Sequence, residues 1–316
     1  MGPSACYEAA RDGRLVGGIC EAARDGRLVA ASISPVEPGR FEGMPQAIDS
    51  GVALTWIERV SRGRRERTRD EVAIEEPLEI RVDGRALAVT MRTPGDDEDL
   101  AVGFLLGEGL ITGADDVAGI GPTEELEANV VDVRTRRGLR RDPFDERRFH
   151  MTSSCGICGK GALEQVKLEA PDRSPRAPVS IDEAAVLGLP ARARVAQKAF
   201  DRTGGIHATG LFETGGRLLA LREDVGRHNA MDKAIGALVL DGGSGGVVGT
   251  IAYLSGRIGF ELVQKAVMAG LGGIVAVGAP TSLAVALAEE HDLLMCGFVR
   301  DGSFNVYVGA ERLAVE

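Results

Sequence analysis

The feature that most constrains the fold is a regular alternation of apolar segments in the second half of the chain. From residue 246 to residue 308 the order is GVVGTIAYLS as strand, RIGFELVQKAVMAG as helix, GIVAVG as strand, PTSLAVALAEEH as helix, and then DLLMCGFV and SFNVYV as strands around an Asp301-Gly302 turn. This order predicts a largely parallel sheet with helices on both faces and a hairpin at one edge. Ligands of such sheets bind beyond the carboxyl ends of the strands.

Two further elements are predicted just upstream of this alternation. The segments HATGLFE and RLLALRE flank a Thr214-Gly215-Gly216 turn and predict a hairpin. The segment DVGRHNAMDKAIGAL then has apolar residues at helical spacing.

A smaller unit precedes this region. The run VAIEEPLEIRVDGRALAVTMR predicts a hairpin around Asp83-Gly84. A helix follows, with carboxylates from Asp96 to Asp99 in its first turn and an apolar stripe of Leu100, Phe104 and Leu105, and then a strand over 129–135. An Arg-rich stretch over 134–148 separates this unit from the next.

The length of 316 residues suggests two domains. We predict a disordered N-terminal extension over 1–50, a small α+β domain over 51–148 and a larger α/β domain over 149–316. The extension holds EAARDGRLV twice, which is too few copies for a repeat architecture, and ends in a Pro-, Gly- and Ser-containing linker. We expect it to be dispensable.

Charge and hydrophobicity exclude several classes of protein. With 37 Lys and Arg against 47 Asp and Glu, the net charge of −10 argues against nucleic-acid and acidic-membrane binders. The N-terminus lacks a signal-peptide pattern, and no apolar run approaches the length of a membrane span, so we expect a cytoplasmic protein. The five cysteines should then be reduced.

The strongest local signal is the segment SSCGICGKG, which contains Cys155 and Cys158. Three glycines leave its backbone free to move, and Lys160 favours a thiolate, so the pair suits a thiol that accepts sulfur or exchanges a disulfide. Half of a zinc site is the alternative, but it would need two further ligands from His150, His207, His228 or Cys296. A thioredoxin-type motif is disfavoured because polar residues and the Arg-rich stretch precede the first cysteine.

A second cluster of polar residues lies in TGGIHA, over 203–208, and REDVGRHNAMDK, over 222–233. We expect Asp224 to cap a helix on which His228 and Asp232 share one face at i, i+4. Two interpretations remain open at this point, a capped helix with surface ion pairs and an anion-binding pocket with His207 and His228.

Three turns placed where strands end are further candidates. Ser255-Gly256-Arg257 and the turn that contains Thr281 each open a helix, and helix N-termini bind phosphates, although ordinary capping would use the same residues. The turn 300–303 is similar, with a plain hairpin as its alternative. Neither helix-opening turn is a P-loop or a dinucleotide fingerprint. Cys296 lies in an apolar strand and is predicted to be a core residue.

The motifs TSSCGICGK, TGGIHATGLF, REDVGRHNAMDKAIG, SGRIGFELVQKA and APTSLAV, in this order, resemble the FdhD family of formate dehydrogenase accessory sulfurtransferases. The resemblance covers about Glu71 to Tyr307. It implies a larger domain similar in fold to cytidine deaminases, and a homodimer.

The resemblance also implies a function. The protein would take persulfide sulfur from a cysteine desulfurase and pass it to the molybdenum bis(molybdopterin guanine dinucleotide) cofactor, a bound substrate and not a permanent cofactor, to activate formate dehydrogenase. Cys155 matches the persulfide-bearing cysteine, and Cys158 is the accompanying thiol. The cofactor-binding segment would be Phe298, Val299, Arg300, Asp301, Gly302 and Ser303, and the pocket candidates beside it are Ser255, Arg257, Thr281, His207 and His228. No metal site, membrane or nucleic acid is expected.

Two departures from the family pattern stand out. Gly259 and Gly278 occupy positions where family members usually have Ser, so two hydroxyl groups that could contact a ligand are lost. Two alternatives to sulfur transfer are a zinc-dependent deaminase, whose H-x-E motif is absent because Ala208 and Thr209 follow His207, and a non-catalytic cofactor chaperone.

Overall fold

The structure is a computed structural model that describes residues 45–49, 51–121, 129–140, 179–242 and 246–314. From Pro45 onwards the chain forms one compact unit. The predicted extension over 1–50 lies almost entirely outside the described residues. The predicted domain boundary at residues 148 and 149 also lies outside them, so both stay predictions.

The described ranges contain six α-helices and fifteen strands, and the two types alternate regularly only from β10 to β13. The helices are α1 (Asp97–Gly107), α2 (Glu183–Ala196), α3 (Lys198–Thr203), α4 (Arg227–Gly242), α5 (Phe260–Ala269) and α6 (Ser282–Glu290). The first strands are β1 (Gln46–Ala47), β2 (Val52–Ser61), β3 (Arg64–Ala73), β4 (Glu76–Val82), β5 (Arg85–Arg92), β6 (Val117–Gly121), β7 (Val130–Thr135) and β8 (Ile181–Asp182). The later strands are β9 (His207–Phe212), β10 (Leu218–Asp224), β11 (Ile251–Leu254), β12 (Gly273–Ala276), β13 (Leu294–Arg300), β14 (Ser303–Val308) and β15 (Leu313–Ala314).

The large sheet has six strands in the order β10-β9-β11-β12-β13-β14. Its three central strands, β11, β12 and β13, are parallel, and an antiparallel hairpin lies at each edge. The sheet is therefore mixed, with a hairpin at both edges instead of one. The mixed α/β class and the order of these elements are confirmed.

Successive side chains of a strand point to opposite faces of the sheet, so the large sheet has two apolar faces, and helices cover both. Ile251 and Tyr253 of β11 belong to one buried cluster with Val186 and Leu189 of α2. Their neighbour Ala252 belongs to a second cluster, which includes residues of α4, α5 and α6. The predicted helix layers on the two faces are confirmed.

The small sheet has the order β5-β4-β7-β6. Its β4–β5 hairpin turns at Asp83 and Gly84, both with positive φ, which is the turn that Asp-Gly favours. The small sheet and α1 share one continuous apolar core with α4, α5 and α6. The predicted small unit therefore packs directly on the larger one.

Helices α1 and α4 cross at two glycines. A Cβ placed at Gly103 would lie 1.9 Å from the main-chain oxygen of Asp232, and one placed at Gly236 would lie 1.9 Å from the main-chain oxygen of Asp99. The two backbones approach this closely because neither position has a side chain.

Several elements of the fold were not predicted, and the β2–β3 hairpin and α2 are the longest of them. The β2–β3 hairpin, which with β1 forms a three-stranded sheet, lacks an apolar alternation, and α2 contains Pro190 within the helix. Among the described residues, no helix is long and apolar enough to cross a membrane.

Candidate functional site

The topology brings the predicted polar turns to one edge of the large sheet. The parallel strands β11, β12 and β13 end at this edge, and β14 begins there. Strand β9 runs in the opposite direction, so it starts at this edge, where His207 pairs with Asp224 at the end of β10. Every pocket residue predicted from the sequence therefore lies on the carboxyl edge, which is the edge where ligands of such sheets bind.

His207 and Ser255 meet at the junction of β9 and β11. The hydroxyl oxygen of Ser255 accepts a hydrogen bond from the main-chain N–H of Ala208 at 2.9 Å. The imidazole of His207 packs against Gly256, where an added Cβ would lie 3.4 Å from Nδ1. Burial lowers the pKa of His207 below its usual value, and the charges of Arg227 and His228 lower it further. His207 is thus a neutral imidazole near pH 7.

His228, in the first turn of α4, lies beside a carboxylate that was not predicted. Its Nε2 lies 2.8 Å from Oε2 of Glu261, in the first turn of α5. The hydrogen bond from His228 lowers the pKa of Glu261, which is therefore a carboxylate. The positive charge of Arg227 lowers the pKa of both His207 and Glu261.

The turns after β11, β12 and β13 are joined by main-chain hydrogen bonds. The N–H of Gly278 donates to the Gly256 carbonyl at 3.2 Å, and the N–H of Phe298 donates to the Gly278 carbonyl at 3.2 Å. Thr281 caps α6, because its hydroxyl accepts a bond from the N–H of Ala284 at 3.3 Å. Arg257 is exposed beside these turns.

The segment 298–303 has an unusual backbone. Phe298 has φ of 56°, a left-handed conformation that costs a bulky residue about 1–3 kcal/mol. The guanidinium of Arg300 lies 5.8 Å from the centroid of the Phe298 ring. Val299 points into the core, so only its main chain can meet a ligand. Asp301 and Gly302 form the predicted hairpin turn, both with positive φ, and the Ser303 hydroxyl donates to the carbonyl of Arg300.

Three helices start at this edge, and the edge has basic side chains. The N-termini of α4, α5 and α6 follow β10, β11 and β12 respectively, so their positive dipole ends lie on the same side of the sheet. Arg227, Arg257 and Arg300 add cationic groups. This arrangement is suited to an anionic ligand such as a pyrophosphate, which prefers N–H groups and guanidinium forks.

The motif REDVGRHNAMDK has a second role that its sequence did not predict. Asp224 and Lys233 are 0% and 1% exposed in their side chains and form an ion pair of 2.8 Å. Lys233 also donates to the carbonyl of Thr93 at 2.7 Å, and the N–H of Thr93 donates to Asp224 at 3.1 Å. Surface ion pairs, one of the two interpretations left open by the sequence, are therefore wrong for these two residues, which bond the β5–α1 connection to α4.

A second buried ion pair lies deeper in the same helix. Lys265 Nζ is 2.9 Å from both carboxylate oxygens of Asp232. Burial raises the pKa of Asp232 to about 6, against the attraction of Lys265. Burial alone would lower the pKa of Lys265, but the charges of Asp232, Glu108 and Glu261 raise it above its usual value. On the face shared by His228 and Asp232, Asp232 is thus fully buried in an ion pair, whereas His228 is half-buried.

The two departures from the family pattern differ in their surroundings. A Cβ at Gly259, the N-cap of α5, would have nothing within 4 Å. A Cβ at Gly278 would lie 2.6 Å from the carbonyl oxygen of Gly256. The structure has room for a serine hydroxyl at Gly259 only, since the Gly278 turn packs main chain against main chain.

Cys155 and Cys158 lie outside the described residues. Cys296 is fully buried in β13, and burial raises the pKa of its thiol to about 12, so its predicted place in the core is confirmed. In the part of the chain that the structure describes, no three His, Cys, Asp or Glu side chains converge as a metal site would require.

Comparison with known proteins relates this arrangement to one family. The model of the FdhD/NarQ family matches residues 73–314. A protein of Streptomyces avermitilis named sulfur carrier protein FdhD is 49% identical over 256 residues, which cover 78% of this chain and 90% of that protein. A protein of the same name from Mycolicibacterium paratuberculosis is 47% identical over 251 residues, 77% of this chain and 92% of that protein.

A solved structure agrees with these matches. The crystal structure provisionally described as that of a formate dehydrogenase accessory protein from Desulfotalea psychrophila superposes with a TM-score of 0.68 and 25% identity. The superposition covers 83% of this chain and 99% of that protein. By its sequence and its fold, the chain belongs to the FdhD/NarQ family.

Proposed function

We propose that this protein is a sulfur carrier in the maturation of formate dehydrogenase. Its relatives at 49% and 47% identity are named sulfur carrier proteins, and the matched residues include the complete carboxyl edge of the large sheet. The observation that supports the proposal most strongly is the convergence of His207, Arg227, His228 and the turn 298–303 on that edge beside three helix N-termini.

In this proposal Cys155 is the residue that carries the sulfur. A thiolate attacks the terminal sulfur of a persulfide on a cysteine desulfurase, and the donor leaves as a thiolate. The positive charge of Lys160, five residues further along the sequence, favours ionisation of the thiol. Cys158 is the accompanying thiol.

The acceptor is molybdenum in the bis(molybdopterin guanine dinucleotide) cofactor, which binds as a substrate. Its pyrophosphates suit the N-termini of α5 and α6 and the guanidinium groups of Arg257 and Arg300. The Phe298 ring, 5.8 Å from the Arg300 guanidinium, and the exposed turn Asp301-Gly302 suit a guanine base. The proposal extends to a cytoplasmic homodimer whose larger domain is similar in fold to cytidine deaminases.

Sulfur loading provides the direct test. The protein is incubated with a purified cysteine desulfurase and L-cysteine, and its mass is measured without reductant. We expect one added sulfur atom on the peptide that contains Cys155, no addition in a Cys155→Ala variant, and normal addition in a Cys20→Ala control, since Cys20 lies outside the family match. Wild-type protein that never gains sulfur would refute the carrier role.

Formate dehydrogenase activation separates the carrier from the two alternatives. The Cys155→Ala variant should bind the cofactor but fail to activate the enzyme in a strain that lacks the native carrier. Full activation by a variant without either Cys155 or Cys158 would support a cofactor chaperone instead. Stoichiometric zinc together with deamination of a nucleoside would support the deaminase alternative.

A further inference from the structure

The β2–β3 hairpin is a long ribbon with little support in its outer half. Its strands pair without interruption from Val52 with Ala73 to Ser61 with Arg64. Among the described residues, β1 adds to β2 only at Ala53 and Leu54, and β3 has no second neighbour. An isolated two-stranded ribbon is only marginally stable in water, so its exposed outer half gains stability from a partner.

One face of this ribbon has the composition of a protein interface. We define the basic face by the residues that share it, which are Trp56, Glu58 and Val60 of β2 and the residues paired with them, Arg69, Arg67 and Arg65 of β3. Trp56 is 48% exposed and Val60 is 63% exposed. The guanidinium groups of Arg67 and Arg69 each lie 4.9 Å from the centroid of the Trp56 ring. Trp and Arg dominate the energetic centres of protein interfaces.

The charge of the ribbon selects an acidic partner. The basic face has three arginines and one glutamate, a charge of +2, and the ribbon from Glu58 to Arg69 has six arginines and two glutamates, a charge of +4, in a chain of net charge −10. Such a patch attracts an acidic surface at short range, whereas the rest of the chain repels one.

A protein fits this surface better than a nucleic acid does. Glu58 lies on the basic face beside its arginines, whereas Glu66 and Asp70 lie on the opposite face of the ribbon. Glu58 would meet a phosphate backbone unfavourably, and the exposed Val60 has no partner there. An acidic protein surface of mixed charge can pair with both signs and cover the apolar centre.

We propose that the basic face is the docking surface for the protein that donates the sulfur, which binds through an acidic surface. This inference rests on the proposed function. A persulfide on a donor protein reaches a thiol of this chain only when the two proteins touch, whereas the cofactor that accepts the sulfur is a small molecule and needs no such surface.

The transfer that this docking permits is balanced in atoms and electrons. The carrier thiolate forms a new S–S bond with the donor's terminal sulfur, the donor's S–S bond breaks, and its electron pair leaves on the donor thiolate. No external oxidant or reductant is needed. The hairpin up to Val72 precedes the residues matched by the family model, 73–314.

The test uses two full-length variants that change the net charge equally. Arg67→Glu/Arg69→Glu reverses two charges on the basic face, and Arg59→Glu/Arg64→Glu reverses two on the opposite face of the same ribbon. Far-UV circular dichroism and the midpoint of thermal unfolding verify that both variants fold. Binding to the purified cysteine desulfurase from the same organism is measured by biolayer interferometry at several salt concentrations.

We expect Arg67→Glu/Arg69→Glu to weaken binding by about tenfold or more and to reduce its salt dependence, with little change for the opposite-face variant. Sulfur loading of Cys155 should slow at low desulfurase concentration and recover at saturating desulfurase. Trp56→Ala should also weaken binding, with the salt dependence retained.

Several results would overturn the inference. Equal weakening by both double variants would show a long-range charge effect without a docking face. If the basic-face variant binds the donor normally but no longer binds duplex DNA, the surface belongs to a nucleic-acid site. If it binds the donor normally but loses a dimer that the wild type forms in analytical ultracentrifugation, the surface belongs to a second copy. Absence of sulfur on wild-type Cys155 at any desulfurase concentration would instead refute the proposed function, whatever the binding data show.

Discussion

The crossing of α1 and α4 allows a sharp test of how the two regions of the chain are joined. Replacing Gly103 by Ala places a methyl group 1.9 Å from the main-chain oxygen of Asp232. Ordinary contact between a carbon and an oxygen needs more than 3 Å, and neither atom belongs to a flexible side chain. The helices must therefore move apart by more than an ångström, and contacts along the crossing are lost.

The cost of this separation exceeds the gain in helix propensity. Overpacking a close-packed core costs about 1–3 kcal/mol. Alanine favours a helix over glycine by up to about 1 kcal/mol, which offsets part of that cost. We expect Gly103→Ala to lower the free energy of unfolding by about 1–2 kcal/mol, and the midpoint of thermal unfolding to fall by roughly 2–4 °C for each kcal/mol.

Urea unfolding followed by circular dichroism measures these values. Gly242→Ala in α4 is the control, because a Cβ there has nothing within 4 Å, and it should leave stability unchanged or slightly raised. Gly236→Ala should match Gly103→Ala, and the double variant should cost less than the sum, since a crossing already spread by one methyl group has room for the other. A Gly103→Ala protein as stable as wild type would refute the close crossing.

Three further predictions concern the buried groups and the turns. Lys265→Met leaves Asp232 buried without its cation, so the pKa of Asp232 should rise above about 6. The variant should lose about 3–5 kcal/mol of stability at pH 8, but less at pH 5, where the Asp232 carboxyl is protonated. Equal losses in urea unfolding at the two pH values would contradict this prediction. Because burial raises the pKa of the Cys296 thiol to about 12, iodoacetamide at pH 8 should label this residue only in denaturant, as measured by peptide mass. Rapid labelling of Cys296 in the folded protein would argue against its burial. Gly259→Ser should change the free energy of unfolding by only a few tenths of a kcal/mol, because Gly and Ser both suit an N-cap, whereas Gly278→Ser should lower it by about 1–3 kcal/mol, as measured by thermal unfolding. A Gly278→Ser protein as stable as wild type would contradict the main-chain contact at this turn.

Local patterns were sufficient to predict the elements around the site. The Asp83-Gly84 hairpin, the α1 stripe and the alternation from β11 to β14 all follow from periodicities and turn residues that lie within short windows. The convergence of the turns on one edge followed from the parallel strand order alone.

Contacts between distant parts of the chain could not be predicted in this way. Glu261 lies far along the sequence from His228, so nothing local indicates their contact. The glycines of the helix crossing look unfavourable for helices until the partner backbone is present. The β2–β3 hairpin escaped prediction because its outer residues are exposed on both faces, which removes the apolar alternation that identifies a strand.

The bonds between Asp224, Lys233 and Thr93 determine how this protein can be dissected in the laboratory. Expression of the C-terminal part alone would expose to water the face of α4 at Asp232 and Gly236 that packs on α1, and would leave Lys233 without one of its two partners. Such a fragment should aggregate or remain unfolded. Truncation studies of the sulfur-transfer chemistry therefore need the chain intact from Pro45 onwards.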